Sequence, residues 1–203
     1  MPQVVNITWT LGRLEDELDH TDASLSAEGL TELAERFEAQ TRPLVEALRQ
    51  KNRAQRRRRT RLEAKRRHIN RKLDKLVRKA GIRLDAHLER DHDHPDWRRH
   101  FATTPSEFAR QAFTEQVRLM KGWLQALHPA LADLAEPIAQ GCALAEEIFL
   151  EETAINHAQK QLEGERAQTV AELTRLRDDL GRTLSKLGED NGEERDYADS
   201  FFL

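Results

Sequence analysis

Residues 48–62 read LRQKNRAQRRRRTRL, and their reading decides the fold. Leucines bound the stretch, Ala54 is its one apolar interior residue, and eight of its fifteen residues are Lys or Arg, with no acid among them. It is either the tip of a helical hairpin or the middle of one long helix. Apolar residues on its N-terminal side recur at helical spacing: Leu30, Leu33, Phe37, Leu44 and Leu48. On its C-terminal side a second series follows: Leu62, Ile69, Leu73, Leu76, Ala80, Leu84 and Leu88. The two series are symmetric about residue 55. A turn there would set Leu48 against Leu62 and Phe37 against Leu73. No Gly or Pro stands near residue 55, so one uninterrupted helix is the alternative. The hairpin is preferred because a long helix needs a partner to cover its stripe. Ser26 is the expected N-cap, and Pro43 is expected to kink or break the helix near Thr41.

The second half repeats the layout. Thr104, Pro105 and Glu107 form a helix start, with a capping box and Pro at the first position. Phe108, Ala112, Phe113, Val117, Met120, Leu124 and Leu127 follow as one expected face, and Pro129 and Pro137 each interrupt what comes next. Ile148, Ile155 and Leu162 continue a stripe that pauses over 163–169 and resumes at Val170, Leu173, Leu176, Leu180, Leu184 and Leu187. A turn near Gly164 is expected. The predicted fold is therefore all-α: an elongated, coiled-coil-like bundle of two antiparallel helical hairpins in a single domain over 1–203. The first hairpin covers 26–90, the second 105–187, and a His- and Asp-rich connector over 87–104 joins them. Val5, Ile7, Trp9 and Leu11 alternate with polar residues, which predicts a short extended arm over 1–12. Residues 188–203 read as a flexible acidic tail with an apolar end.

Composition agrees. Of 203 residues, 34% are charged and 5% aromatic, with nine Gly and six Pro, the profile of long helices. No apolar run reaches the ~18–20 residues of a bilayer-spanning helix, so no transmembrane segment is expected. The N-terminus does not resemble a signal peptide, and Cys142 is the single cysteine, so a cytoplasmic location is the expectation.

The net charge of −3 hides a strong division. Residues 1–48 hold ten acids and three Arg (−7), residues 49–83 seventeen Lys or Arg and two acids (+15), and residues 84–203 thirteen bases and twenty-four acids (−11). Arg56 to Arg59 alone sweep about 300° of a helix, so this segment cannot be buried on any side and must project. Three counter-charges compete for it: neighbouring acids such as Asp16, Glu17, Glu163 and Glu165, a nucleic-acid backbone, or another anionic partner. The candidate polyanion-binding residues are Arg53, Arg56, Arg57, Arg58, Arg59, Arg61, Lys65, Arg66 and Arg67. No aromatic residue lies in 49–83 to stack a base, so contact with DNA or RNA would be to phosphates and indifferent to sequence. The expected function is that of a non-enzymatic interaction protein contacting DNA or RNA. The alternative is a scaffold or assembly subunit binding a protein partner or a second copy of itself.

Trp9 and the end Phe201, Phe202 and Leu203 are candidate partner-docking residues; the other reading of that end is that it folds back on the bundle. His87, His92, His94 and His100, interleaved with Asp91, Asp93 and Asp96, are the residues to examine for zinc or nickel, with an exposed polar connector as the plainer reading. One Glu-x-x-His, Glu89 to His92, falls short of a di-iron bundle's two. No phosphate-binding loop or nucleophile motif occurs, and no cofactor is expected.

Overall fold

The computed structural model describes residues 10–194 and 196–203. Among them the fold is all-α, with no strand. Helix α1 spans Leu11–Ala27 and α2 spans Thr31–His87. Three short helices follow: α3 (Pro95–His100), α4 (Pro105–Phe108) and α5 (Phe113–Gln125). A 3-10 turn at Pro129–Leu134 leads into α6, Ala135–Asn191, and a second 3-10 turn covers Tyr197–Phe201. No helix among the described residues is long and apolar enough to cross a membrane.

The two expected hairpin turns are absent. Both α2 and α6 run for 57 residues without interruption, one through residue 55 and the other through Gly164. The physical reason is phase. Thr41, Leu48, Gln55, Leu62, Ile69 and Leu76 stand seven apart, as do Val45, Asn52, Arg59, Arg66, Leu73 and Ala80. A heptad drifts only about 20° on an α-helix, so these residues share one face. Asn52 and Gln55 are half-buried in that face where leucines are missing, and Asn52 Nδ2 donates to the Leu48 carbonyl at 3.0 Å. The stripe thus changes chemistry without changing register. In α6 the same holds for Ile148, Ile155, Leu162, Thr169 and Leu176, with Thr169 half-buried. Ala, Arg, Gln and Lys across 49–61 are strong helix formers, and nothing in the segment stops the helix. Pro43 lies within α2 and does not end it; the one hydrogen bond it cannot donate is that to the carbonyl of Ala39, an exposed residue.

The chain forms two compact units. Unit 1 holds residues up to Arg56 and from His157 onward. Here α1 packs with the first part of α2 and the last part of α6. Helix α1 falls in the region left unassigned by the sequence reading, although Leu11, Leu14, Leu18, Thr21 and Leu25 follow the helical spacing and Thr10 caps Arg13 N at 3.2 Å. Leu11 therefore opens a helix and does not end an arm; residues 1–9 of that expected arm, Trp9 included, lie outside the described residues. Ser26 sits in the last turn of α1 and caps nothing at α2. Gly29, at φ 74°, makes the left-handed step that ends α1, and Leu30 N bonds the Leu25 carbonyl at 2.9 Å. Leu14, Val45, Val170 and Leu173 form one core layer. Leu25, Phe37, Leu176, Leu180 and Leu184 form another, closed by Phe201 and Phe202.

Unit 2 covers Arg57–Asn156. The second part of α2 packs on the first part of α6, with Leu62, Ile69, Leu73, Ile148 and Ile155 in one core. Phe37 and Leu73, expected in one layer, belong to separate cores. The capping box at Thr104 is present in full, but the helix it starts ends at Phe108 and a new one begins at Phe113. On one straight helix these two rings would point about 140° apart. The break lets both be buried, Phe108 against Trp123 (4.9 Å between rings) and Phe113 against Phe149 (5.4 Å). The connector is mostly exposed, as a polar connector would be, but Trp97, His100 and Phe101 turn inward and are buried. Gly81 permits this, since a Cβ there would stand 2.5 Å from Pro105 Cγ. Pro137 lies in the first turn of α6, where its missing N–H needs no partner.

Candidate nucleic-acid interface

The candidate surface is built on α2. Its residues in unit 2 begin with Arg57, Arg58 and Arg59, followed by Arg61, and all four are exposed. Among the described residues none of the four has an ion pair, and their side chains leave the helix on every side. Arg53 and Arg56, at the end of the unit 1 portion of α2, are likewise exposed and unpaired among the described residues. The other candidates are engaged. Lys65 Nζ meets Glu151 at 3.1 Å. Arg66 meets Glu152 at 3.5 Å and lies 5.4 Å from the Phe113 ring centre. Arg67 Nε donates to the Glu63 carbonyl at 3.4 Å.

Of the acids expected as counter-charges, Glu165 and Glu17 pair with other bases and Glu163 accepts from a neutral amide. Glu165 pairs with Lys51 at 2.9 Å, and Glu163 accepts from Gln159 at 3.2 Å. Glu17 is buried against Arg177, 2.6 Å away. Internal pairing therefore serves Lys51, Lys65 and Arg66, but among the described residues not Arg56, Arg57, Arg58, Arg59 or Arg61. Exposed pairs of this kind contribute ~0–1 kcal/mol each, so they leave the surface open to a competing anion.

Sequence reasoning ended the basic surface at Arg67. On α2 it continues through Arg71, Lys72, Lys75 and Arg78, all exposed and without an ion pair among the described residues. The signal was available: these residues lie opposite the Leu62, Ile69, Leu73 face at 3.6-residue periodicity. It was overlooked because runs of adjacent charges are more conspicuous than spaced ones.

The docking residues at the C-terminus are not presented. Phe201 and Phe202 are 1% and 8% exposed, inside unit 1, and Leu203 alone of the three is exposed. This is the fold-back reading, and it removes the aromatic docking peptide. The histidines do not converge. His92 Nε2 lies 2.7 Å from Asp85 and its ring stacks on Trp97. His94 Nδ1 caps Asp96 N, and the His87 ring meets His128 edge-on at 4.9 Å. His100 is buried. Among the described residues no group of three or more His, Cys, Asp or Glu is placed to hold a metal ion. Burial pushes the Cys142 thiol up to about 11, so it stays protonated and poorly nucleophilic near neutral pH.

His100 makes stability depend on pH. Burial holds its imidazole below the ordinary value, outweighing the hydrogen bond from Nδ1 to the Asp96 carbonyl at 2.8 Å. His128 and Arg99 lower it further and the Asp96 carboxylate raises it. The unfolded chain binds this proton near pH ~6.5 and the folded chain resists it, so the contribution is complete above that value and is lost as pH falls below it. Thermal melts should show a lower Tm at about pH 5.5 than at about pH 7.5, with a smaller difference in His100→Gln. Glu107, Glu115 and Glu172, held below their ordinary value by hydrogen bonds, act lower, where pH falls beneath ~4.5.

No protein-family model, curated protein or solved structure matches the chain.

Proposed function

We propose that the protein is a non-enzymatic helical interaction protein whose Arg-rich segment of α2 binds the phosphate backbone of nucleic acid without reading its sequence. The observation that supports this reading is the set Arg57, Arg58, Arg59 and Arg61: four exposed guanidinium groups, unpaired among the described residues, on a helix held in a core by its Leu62, Ile69 and Leu73 side. Their mutual repulsion costs folding free energy, which a bound polyanion offsets. Arginine presents a planar fork of donors matched to phosphate oxygens. The absence of aromatic residues from 49–83 leaves no means of stacking bases.

The test is the salt dependence of binding to duplex DNA. Each phosphate neutralised contributes about −0.9 to the slope of log affinity against log salt, so these four arginines contribute about −3.6. Replacing Arg57 and Arg58 by Gln should shrink the slope by about 1.8, with melting temperature unchanged and with equal effect on scrambled DNA. The scaffold reading expects no retention on DNA or RNA even at low salt. That result would replace the nucleic-acid function with protein assembly.

A further inference from the structure

The exposed face of α2 in unit 2 is a basic row far longer than the Arg-rich run. At ~100° per residue, Arg57, His68 and Lys75 fall close to one line along the helix. Arg61 and Lys72 lie within about 60° of it on one side, and Arg71 and Arg78 within about 60° on the other. The buried residues Leu62, Ile69, Leu73 and Val77 centre roughly 150° away. From Arg57 to Arg78 the row rises ~32 Å at 1.5 Å per residue. That is close to one turn of a duplex, ~34 Å. Acids are kept off the line: Glu63 and Asp74 stand to its flank, and Asp74 accepts from Gln116 at 2.9 Å.

Resting on the nucleic-acid reading above, we infer that the interface runs along α2 from Arg57 through Arg61, Arg71, Lys72 and Lys75 to Arg78, and that its occupant is double-stranded nucleic acid spanned over about one helical turn. Two flanks of cations on one straight helix match a partner with two parallel phosphate walls, and a duplex groove ~12 Å wide admits a helix of this diameter. A single strand has one flexible backbone and is held by aromatic stacking, for which this face has no residue. An anionic bilayer is a poorer match, because a surface-lying helix sets large apolar side chains among its cations, and between Arg57 and Arg78 the exposed apolar residue on this face is Ala64, with Ile82 lying beyond the row.

Anisotropy titrations of the full-length chain across a range of salt concentrations, with a duplex of about 24 base pairs and a single strand of equal length, test this. With the six cations of the row in contact the wild-type slope on duplex should be near about −5.4, and it should fall by about 3.6 in the variant R71Q/K72Q/K75Q/R78Q. The single strand should bind at least ~10-fold more weakly than the duplex. These four side chains are exposed, so the variant should retain the wild-type melting curve, and R71K/R78K should keep the wild-type slope. A wild-type slope near −3.6 that R57Q/R58Q reduces and R71Q/K72Q/K75Q/R78Q leaves unchanged overturns the extended interface while the proposed function stands. Equal affinity for the single strand overturns the duplex. Loss of all nucleic-acid binding in the wild type overturns both readings.

Discussion

Replacing Glu17 by Ala is expected to destabilise the protein by about 3–5 kcal/mol, the cost of leaving its partner Arg177 charged and buried. Glu17 lies on the core-facing side of α1 between Leu14 and Thr21, and Arg177 lies on α6 between Leu173 and Leu180. The carboxylate and guanidinium approach to 2.6 Å, with each side chain 4% exposed. Desolvation pulls the Arg177 cation below its ordinary value, Glu17 and Asp178 oppose that pull, and the Phe202 ring covers the guanidinium at 4.6 Å. Unlike a surface pair, this one is shielded from salt, so urea midpoints of Glu17→Ala should stay low at high ionic strength. Converting both residues to apolar ones, Glu17→Leu with Arg177→Met, should restore most of the loss, because no unpaired charge remains. A cost below about 1 kcal/mol for Glu17→Ala would mean that water reaches the pair.

Phe201→Ala is expected to cost about 3–5 kcal/mol as well, through lost burial and the cavity left behind. The ring is 1% exposed, packs in one core with Leu25, Leu180 and Leu184, and meets Tyr197 at 5.2 Å. Leu203→Ala, at a residue 54% exposed, should change stability by no more than about 0.5 kcal/mol. Chemical denaturation of the two variants side by side separates a core element from a tether: equal, negligible effects would return the aromatic end to the solvent.

The helical class, the helix face around Leu62, Ile69 and Leu73, the capping box at Thr104 and the basic segment were all legible in the sequence, because each depends on residues within a few turns of one another. The largest misreading came from symmetry. A stripe that fades and returns looks the same whether the chain folds back or continues; what distinguishes the cases is phase, and the seven-residue spacing Leu48, Gln55, Leu62 had kept it. The polar Gln55 hid that register, since a search for leucines sees a gap where the helix has a seam.

What the sequence determined by itself was local: which segments are helical, which side of each is apolar, and that the arginines at 56–59 cannot be buried. What the tertiary structure decided was which partner covers each side. Only packing shows that α2 is covered by α6 and not by itself, that Phe201 and Phe202 close a core, and that Lys65 and Arg66 find Glu151 and Glu152 while Arg57, Arg58, Arg59 and Arg61 find none among the described residues. The two ion pairs join residues 86 positions apart. Helix periodicity specifies a face and its phase, but the free energy of covering that face depends on what arrives from elsewhere in the chain, and no local pattern encodes it.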